Sequence, residues 1–182
     1  METPDAATGE QAMHQQTQEF IETLFADLPE GLFGYIWTFR GDAKVTFSFA
    51  DTEQALRLLD VNGNGRDCYA GVALTRGVLP RDRRAENATA AARIALVLDV
   101  DADGADKRAR DKQIGEPEPT ERHPRGTDEA EEVVRRVTAA LVPPTLVVAS
   151  GGGGFHLWWV LGEPCLLSGG GPRGHVAGIA RR

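Results

Sequence analysis

Two apolar runs, TLVVA (145–149) and FHLWWV (155–160), are separated only by the five residues SGGGG. A connection that short cannot carry a crossover helix, so the two runs are predicted to pair as an antiparallel hairpin. The same constraint applies near the start of the chain. GLFGYIWTFR and AKVTFSFA flank Gly41-Asp42 and are rich in aromatic and β-branched residues, which predicts a second hairpin. Between and around these pairs the pattern is helical. Phe20, Leu24, Phe25 and Leu28 recur at helical spacing over 12–28, ahead of Pro29. TEQALRLLD follows Asp51, a natural N-cap, and EAEEVVRRVTAALV follows Thr127 and Asp128, either of which suits a cap. That second helix places Val133, Val134, Val137 and Leu141 on one face. CYAGVALT and RIALVLDVD read as further strands, the latter buried. The order α, β-β, α, β, β, α, β-β predicts an α+β fold with a mainly antiparallel or mixed sheet. A doubly wound fold needs a helix after nearly every strand and is disfavoured.

The hydrophobic fraction, 41% of 182 residues, is enough for one core. No apolar stretch approaches the roughly 20 residues of a membrane helix, and the acidic, polar N-terminus is no secretory signal. Cys68 and Cys165 lie far apart without a CxxC, against a zinc site or a disulfide framework. A cytoplasmic protein with no membrane partner is the expectation. Residues 1–11 read as a disordered tail, 12–165 as the folded domain and 166–182 as a Gly/Arg-rich tail; GEPCLLSGGGPRGHVAGIARR (162–182) has no core pattern. The charged, proline-bearing stretch after the aspartates, up to about residue 126, reads as a functional or disordered loop.

Net charge is −7, which weighs against a polyanionic partner, yet the distribution is uneven. The stretch 76–93 carries Arg76, Arg81, Arg83, Arg84 and Arg93 against Asp82 and Glu86 alone. It reads equally as a phosphate-contacting loop or a solvated one.

LVLDVDADGAD (96–106) runs an apolar strand into four aspartates. On a strand Asp99 and Asp101 project from one face, about 7 Å apart along the backbone, while Val100 points the other way. Two carboxylates so placed suit one divalent cation, or two at ~3.5–4 Å separation, as phosphoryl-transfer chemistry requires. Asp103 and Asp106 are second-tier candidates. A calcium loop is an alternative, since DVDADG and DVNGNG (60–65) open like an EF-hand, but Arg110 and Gly71 stand where the closing Glu belongs. A solvated turn and the polar outer face of a sheet remain open as well.

The glycine run between two apolar strands is a hairpin loop whose backbone can approach a ligand closely, and amides without side chains suit phosphates. It is no P-loop, having neither Gly-Lys-Ser/Thr nor a following helix. His156 stands just beyond it. Alternation places His156, Trp158 and Val160 on one face, and Phe155, Leu157 and Trp159 on the other. A lone strand histidine is usually structural; one beside a phosphate-friendly loop and an aspartate pair can hydrogen-bond or protonate a triphosphate. Trp158 and Trp159 are candidates either for base stacking or for the core.

Asp99-x-Asp101 on a strand, then a helix, then a strand leading into SGGGGFHLWWVLGEP resembles the archaeo-eukaryotic primase superfamily. The likeness is to the primase-polymerase N-terminal domains of phage, plasmid and other mobile replication proteins, and it covers about residues 18–165. It implies an N-terminal αβ unit joined to an RRM-like catalytic unit, and a DNA primase/polymerase activity that makes or extends primers on a single-stranded DNA template. By the same resemblance Asp99 and Asp101 are ligands of Mg²⁺ or Mn²⁺ in a two-metal site. His156 contacts the incoming NTP or dNTP, and Ser150, Gly151, Gly152, Gly153 and Gly154 shape its pocket. Arg76 is a further phosphate contact, and a replicative helicase domain or protein is a further partner. Two departures stand out. The glycine run is one residue longer than the family pattern, and the family's third metal-binding acid has no counterpart, Glu163 being the sole acid after His156. With the SGGGPRGHVAGIARR ending, this makes a truncated, inactive nucleotide- or nucleic-acid-binding module the alternative expectation. A rolling-circle nuclease is disfavoured, because Leu157 and Trp158 follow His156 where a His-x-His pair is needed.

Overall fold

The computed structural model of the chain describes residues 6–40, 43–63, 67–86, 88–102, 124, 126–150 and 153–167. Helices and antiparallel strand pairs make it an α+β fold, as the sequence predicts. No helix among the described residues is long and apolar enough to cross a membrane. The chain divides into two compact units, Met1–Ala95 with Leu161–Arg182, and Leu96–Val160.

The first unit opens with α1 (Ala6–Phe25), followed by β1 (Gly34–Arg40), β2 (Ala43–Phe49) and α2 (Thr52–Asn62). The helix starts six residues before the predicted Ala12 and takes in half of the supposed tail. Apolar periodicity begins only at Phe20 and is silent about the earlier turns, where Ala6, Ala7, Glu10 and Gln11 supply helix propensity instead. It stops at Phe25, short of Leu28. Asp51 is the predicted N-cap of α2: its carboxylate accepts from the Gln54 amide at 2.7 Å, and the Gln54 side chain accepts in return from the Ala50 amide at 2.8 Å. The Thr52 hydroxyl donates to the Phe25 carbonyl at 2.7 Å, tying the start of α2 to the end of α1.

β1 and β2 form the predicted hairpin, in register from Gly34↔Phe49 to Arg40↔Ala43. Ile36 and Thr38 are buried, α2 lies against both strands, and Phe25 meets Phe49 edge-on at 4.8 Å. Ile21, Leu24 and Ala55 are buried with them. The hydroxyl of Thr38 finds no hydrogen-bond partner among the described residues. A buried, unpaired hydroxyl costs about 1–3 kcal/mol. Thr38→Val is therefore expected to raise stability by about 1 kcal/mol, read as a melting temperature about 2–4 °C higher by circular dichroism; a lower melting temperature would show the hydroxyl to be satisfied.

The run CYAGVALT is not one strand. β3 (Asp67–Ala70) pairs with β1, giving the sheet β2-β1-β3, whereas β4 (Ala73–Thr75) pairs with β5 (Ala90–Val100). The change of partner occurs over two residues: the Gly71 amide donates to the Tyr35 carbonyl at 3.0 Å, and the Val72 carbonyl accepts from the Ile94 amide at 3.1 Å.

The arginine-bearing loop after β4 lies along the hairpin sheet. The Leu79 amide donates to the Ser48 hydroxyl at 2.9 Å, the Arg81 carbonyl accepts from the Thr46 amide at 2.6 Å, and the Arg84 guanidinium stands 4.4 Å from the Trp37 ring centre. Burial pushes the Tyr35 phenol up from its ordinary pKa, with the Arg84 charge and a hydrogen bond from the Ala85 backbone opposing.

The second unit holds the end of β5, α3 (Thr127–Ala140), β6 (Leu146–Ala149) and the first half of β7 (Phe155–Leu166). The four-stranded sheet has the order β4-β5-β7-β6, and β6 and β7 form the predicted antiparallel hairpin. Val100, Ala102, Ala130 and Leu157 are buried together, with Val133, Val134, Val137, Phe155 and Trp159 packed around them. Three expectations are corrected here. Neither Thr127 nor Asp128 caps α3; Gly126 holds the cap position without a side-chain bond, while Asp128 and Glu129 in the first turn suit the helix dipole. Leu141 ends the helix and is exposed rather than facing the core. β5 is buried at Ala91, Ala92, Ile94, Ala95 and Val100, but Val97 and Leu98 are exposed, so it is not covered on both faces throughout. In the first unit, β7 continues through Gly162–Leu166, where no pattern was visible, and the Leu167 amide donates to the Ala91 carbonyl at 2.8 Å. Cys68 and Cys165 are not joined in a disulfide.

Candidate functional site

β5 ends at Val100. Val100 and Ala102 enter the core beneath α3, so the strand's alternation turns Asp99 to the opposite face. On the neighbouring strand β7, Leu157 goes to that core with Phe155 and Trp159 beside it, and His156 takes the other face, as predicted. His156 Nε2 lies 3.3 Å from Asp99 Oδ1, with 30% of the histidine side chain and 59% of the aspartate side chain exposed. A carboxylate at that distance can accept a hydrogen bond from Nε2 in the tautomer that carries its proton there. Nδ1 is then an acceptor in the neutral ring and a donor in the imidazolium. The pair can thus hold one proton and present a second nitrogen to a ligand.

Asp101 differs from its expected placement. It lies one residue past the end of β5, exposed, and not on the strand beside Asp99. Strand pairing stops at Val100, so the face it shares with Asp99 no longer follows from alternation. Asp103 and Asp106 fall outside the described residues, as do Gly151 and Gly152.

The glycine turn is built from inside. The Ser150 amide donates to the Gly154 carbonyl at 2.8 Å, and the Gly153 amide to the Ser150 carbonyl at 3.1 Å. The Ser150 hydroxyl accepts from the Gly154 amide at 3.2 Å. The amides of 153 and 154, expected to face a phosphate, are therefore engaged within the turn. Two glycines have packing reasons. Gly153 has φ +84° and sits against the Thr127 hydroxyl, where a β-carbon would come within 2.8 Å. At Gly154 a β-carbon would lie 2.3 Å from the Val100 carbonyl oxygen, so glycine lets the turn close onto the exit of β5 beside Asp99. Thr127, at the head of α3, is a neighbour of this turn that its sequence position does not betray. It reads there only as a helix start.

Trp158 is buried, and the indole of Trp159 donates to the Val142 carbonyl at 2.6 Å while packing on the core, so Trp159 takes the structural option of its two. Arg76 belongs to the first unit, exposed directly after β4. Among the described residues no three His, Cys, Asp or Glu side chains gather as a ready-made metal site. Asp99 and Asp101 offer carboxylate oxygens, the donors that Mg²⁺ and Mn²⁺ prefer, and one or two carboxylates suffice where substrate phosphates and water complete the shell. The donor chemistry therefore fits such a cation.

Comparison with known proteins adds no assignment: no family model, no curated protein and no solved structure matches the chain.

Proposed function

We propose that Asp99, Asp101 and His156 form the nucleotide site of a metal-dependent nucleotidyltransferase of the primase-polymerase kind, which transfers a nucleotide from an NTP or dNTP onto the 3′-hydroxyl of a primer on a single-stranded DNA template, with release of pyrophosphate. The observation that carries this reading is the 3.3 Å approach of His156 to Asp99, two residues 57 positions apart that β5 and β7 present beside the glycine turn. Mg²⁺ or Mn²⁺, when bound, neutralises phosphate charge and activates the attacking oxygen. Asp99 and Asp101 are the residues that would hold it. Asp99 also orients the His156 ring, and His156 supplies a hydrogen bond or a proton to a phosphate oxygen. The Ser150–Gly154 hydrogen bonds keep the turn closed beside them.

A second reading is favoured by one observation. With no third metal-binding side chain gathered at Asp99 among the described residues, the unit fits a module that binds a nucleotide without turning it over.

Calorimetric titration of a nucleoside triphosphate with Mn²⁺, alongside primer extension, separates the readings. Binding to the wild-type chain should require the metal. Asp99→Ala/Asp101→Ala should abolish that requirement along with the binding, and His156→Ala should weaken binding by about tenfold or more. Extension by the wild type supports transfer; metal-dependent binding without extension supports the module. Binding indifferent to all three residues would dismiss both.

A further inference from the structure

The β2-β1-β3 sheet buries Ile36 and Thr38 on one face. A sheet covered on one side ordinarily turns polar residues outward on the other. Here Trp37 and Phe39 occupy that other face, and strand register adds Tyr69, across from Trp37, and Lys44, across from Phe39. The three rings form a near-equilateral cluster with centres 5.3–5.6 Å apart, Phe39 and Tyr69 lying almost parallel at 10°. Tyr69 is 44% exposed, a large amount for a ring in a cluster. Cations border it. The Arg84 guanidinium stands 4.4 Å from the Trp37 centre and the Lys44 ammonium 5.8 Å from it. The Arg81 carbonyl accepts from the Thr46 amide, so the loop that delivers Arg84 runs along the edge of β2. The Arg81 guanidinium itself lies over Phe47, which register places with Ile36 on the opposite face.

We propose that this aromatic and cationic face binds single-stranded nucleic acid, with unpaired bases stacked on Phe39, Tyr69 and Trp37 and the backbone phosphates met by Lys44 and Arg84. A flat π-face accepts any base, and an adjacent guanidinium or ammonium neutralises the phosphate that each nucleotide brings. Charge adds little: Lys44 and Arg84 border the rings, Asp67 stands across from Phe39, and the net charge of the chain is −7. Affinity therefore depends on stacking more than on counter-ion release, and its salt dependence is shallow. The surface supplies a seat for the template invoked above, but it lies wholly within Met1–Ala95 and does not need the Asp99–His156 site to act.

The test is fluorescence anisotropy of a labelled (dT)₂₀ strand with the full chain, in EDTA and without nucleotide, so that failure of the nucleotide site cannot disturb it. Tyr69→Leu and Phe39→Leu keep an apolar side chain and remove the π-face. Each should weaken binding about 5- to 100-fold. Lys44→Glu/Arg84→Glu should weaken it further and flatten the salt dependence by about two phosphate contacts. A duplex of the same length, its bases closed in the stack, should bind more weakly than the single strand. Circular dichroism checks folding, and if Phe39→Leu fails to fold, exposed Tyr69 and Lys44 decide. No binding by the wild type, binding unchanged in Tyr69→Leu and Lys44→Glu, or equal binding of duplex would each overturn the proposal. Self-association of the chain without oligonucleotide binding would instead assign the rings to a protein contact, and overturn it too.

Discussion

Gly154→Ala is expected to destabilise the Leu96–Val160 unit by about 3 kcal/mol or more, beyond the ordinary range of a single added methyl group. The reason is the identity of the obstacle. The new β-carbon would lie 2.3 Å from the Val100 carbonyl oxygen and 3.1 Å from the Ala102 amide nitrogen, both main-chain atoms that cannot rotate away. Either the turn or the last residue of β5 must move, and with it the hydrogen bond that the Ser150 hydroxyl accepts from residue 154. Because Val100 adjoins Asp99, the same movement pulls the carboxylate from His156. Urea denaturation reads the loss as a lower midpoint. A change under about 1 kcal/mol would mean that the turn does not close on β5.

Leu157→Ala should cost about 3–4 kcal/mol by the same measurement. Leu157 is fully buried with Val100, Ala102 and Ala130, and Phe155 and Trp159 flank it on the strand. Rings of that size, fixed by their own packing, cannot collapse into the space that a lost isobutyl group leaves. Leu157→Met, which fills much of the space with a flexible chain, should cost less than about 1.5 kcal/mol. The contrast tests packing rather than mere apolarity: equal losses in the two variants would refute it. His156 is the next residue, so the alanine variant should also loosen the histidine's hold on Asp99.

What could be seen in the sequence divides by distance along the chain. Asp51 was legible as a cap because its partner is three residues away, and both hairpins were legible because their connections are short. The opposed faces of β7 followed from alternation alone, and so did the side on which His156 stands. The position of Asp101 beyond the strand was not legible, because alternation holds only while the strand is paired and no local signal marks Val100 as its last residue. Gly154 was recognised as a place of close approach, but the approaching group is a carbonyl of its own chain, 54 positions earlier. Thr127 beside the turn is equally non-local. The aromatic face had half a signal: GYIWTF alternates rings with Ile36 and Thr38, and rings on the side that should be polar are unusual. Tyr69 and Arg84 join them only through strand register and the path of a loop.

The change of partner at Gly71 and Val72 gives the first unit a particular kind of unity. Strand β3 closes the hairpin sheet, and two residues later β4 is the edge of the four-stranded sheet. A linker that short transmits torsion without slack. Gly71, bonded to Tyr35, is consequently joined directly to Val72, bonded to Ile94, with no residue between them. Opening of β3 within this unit is thus expected to be felt at the pairing of β4 with the start of β5.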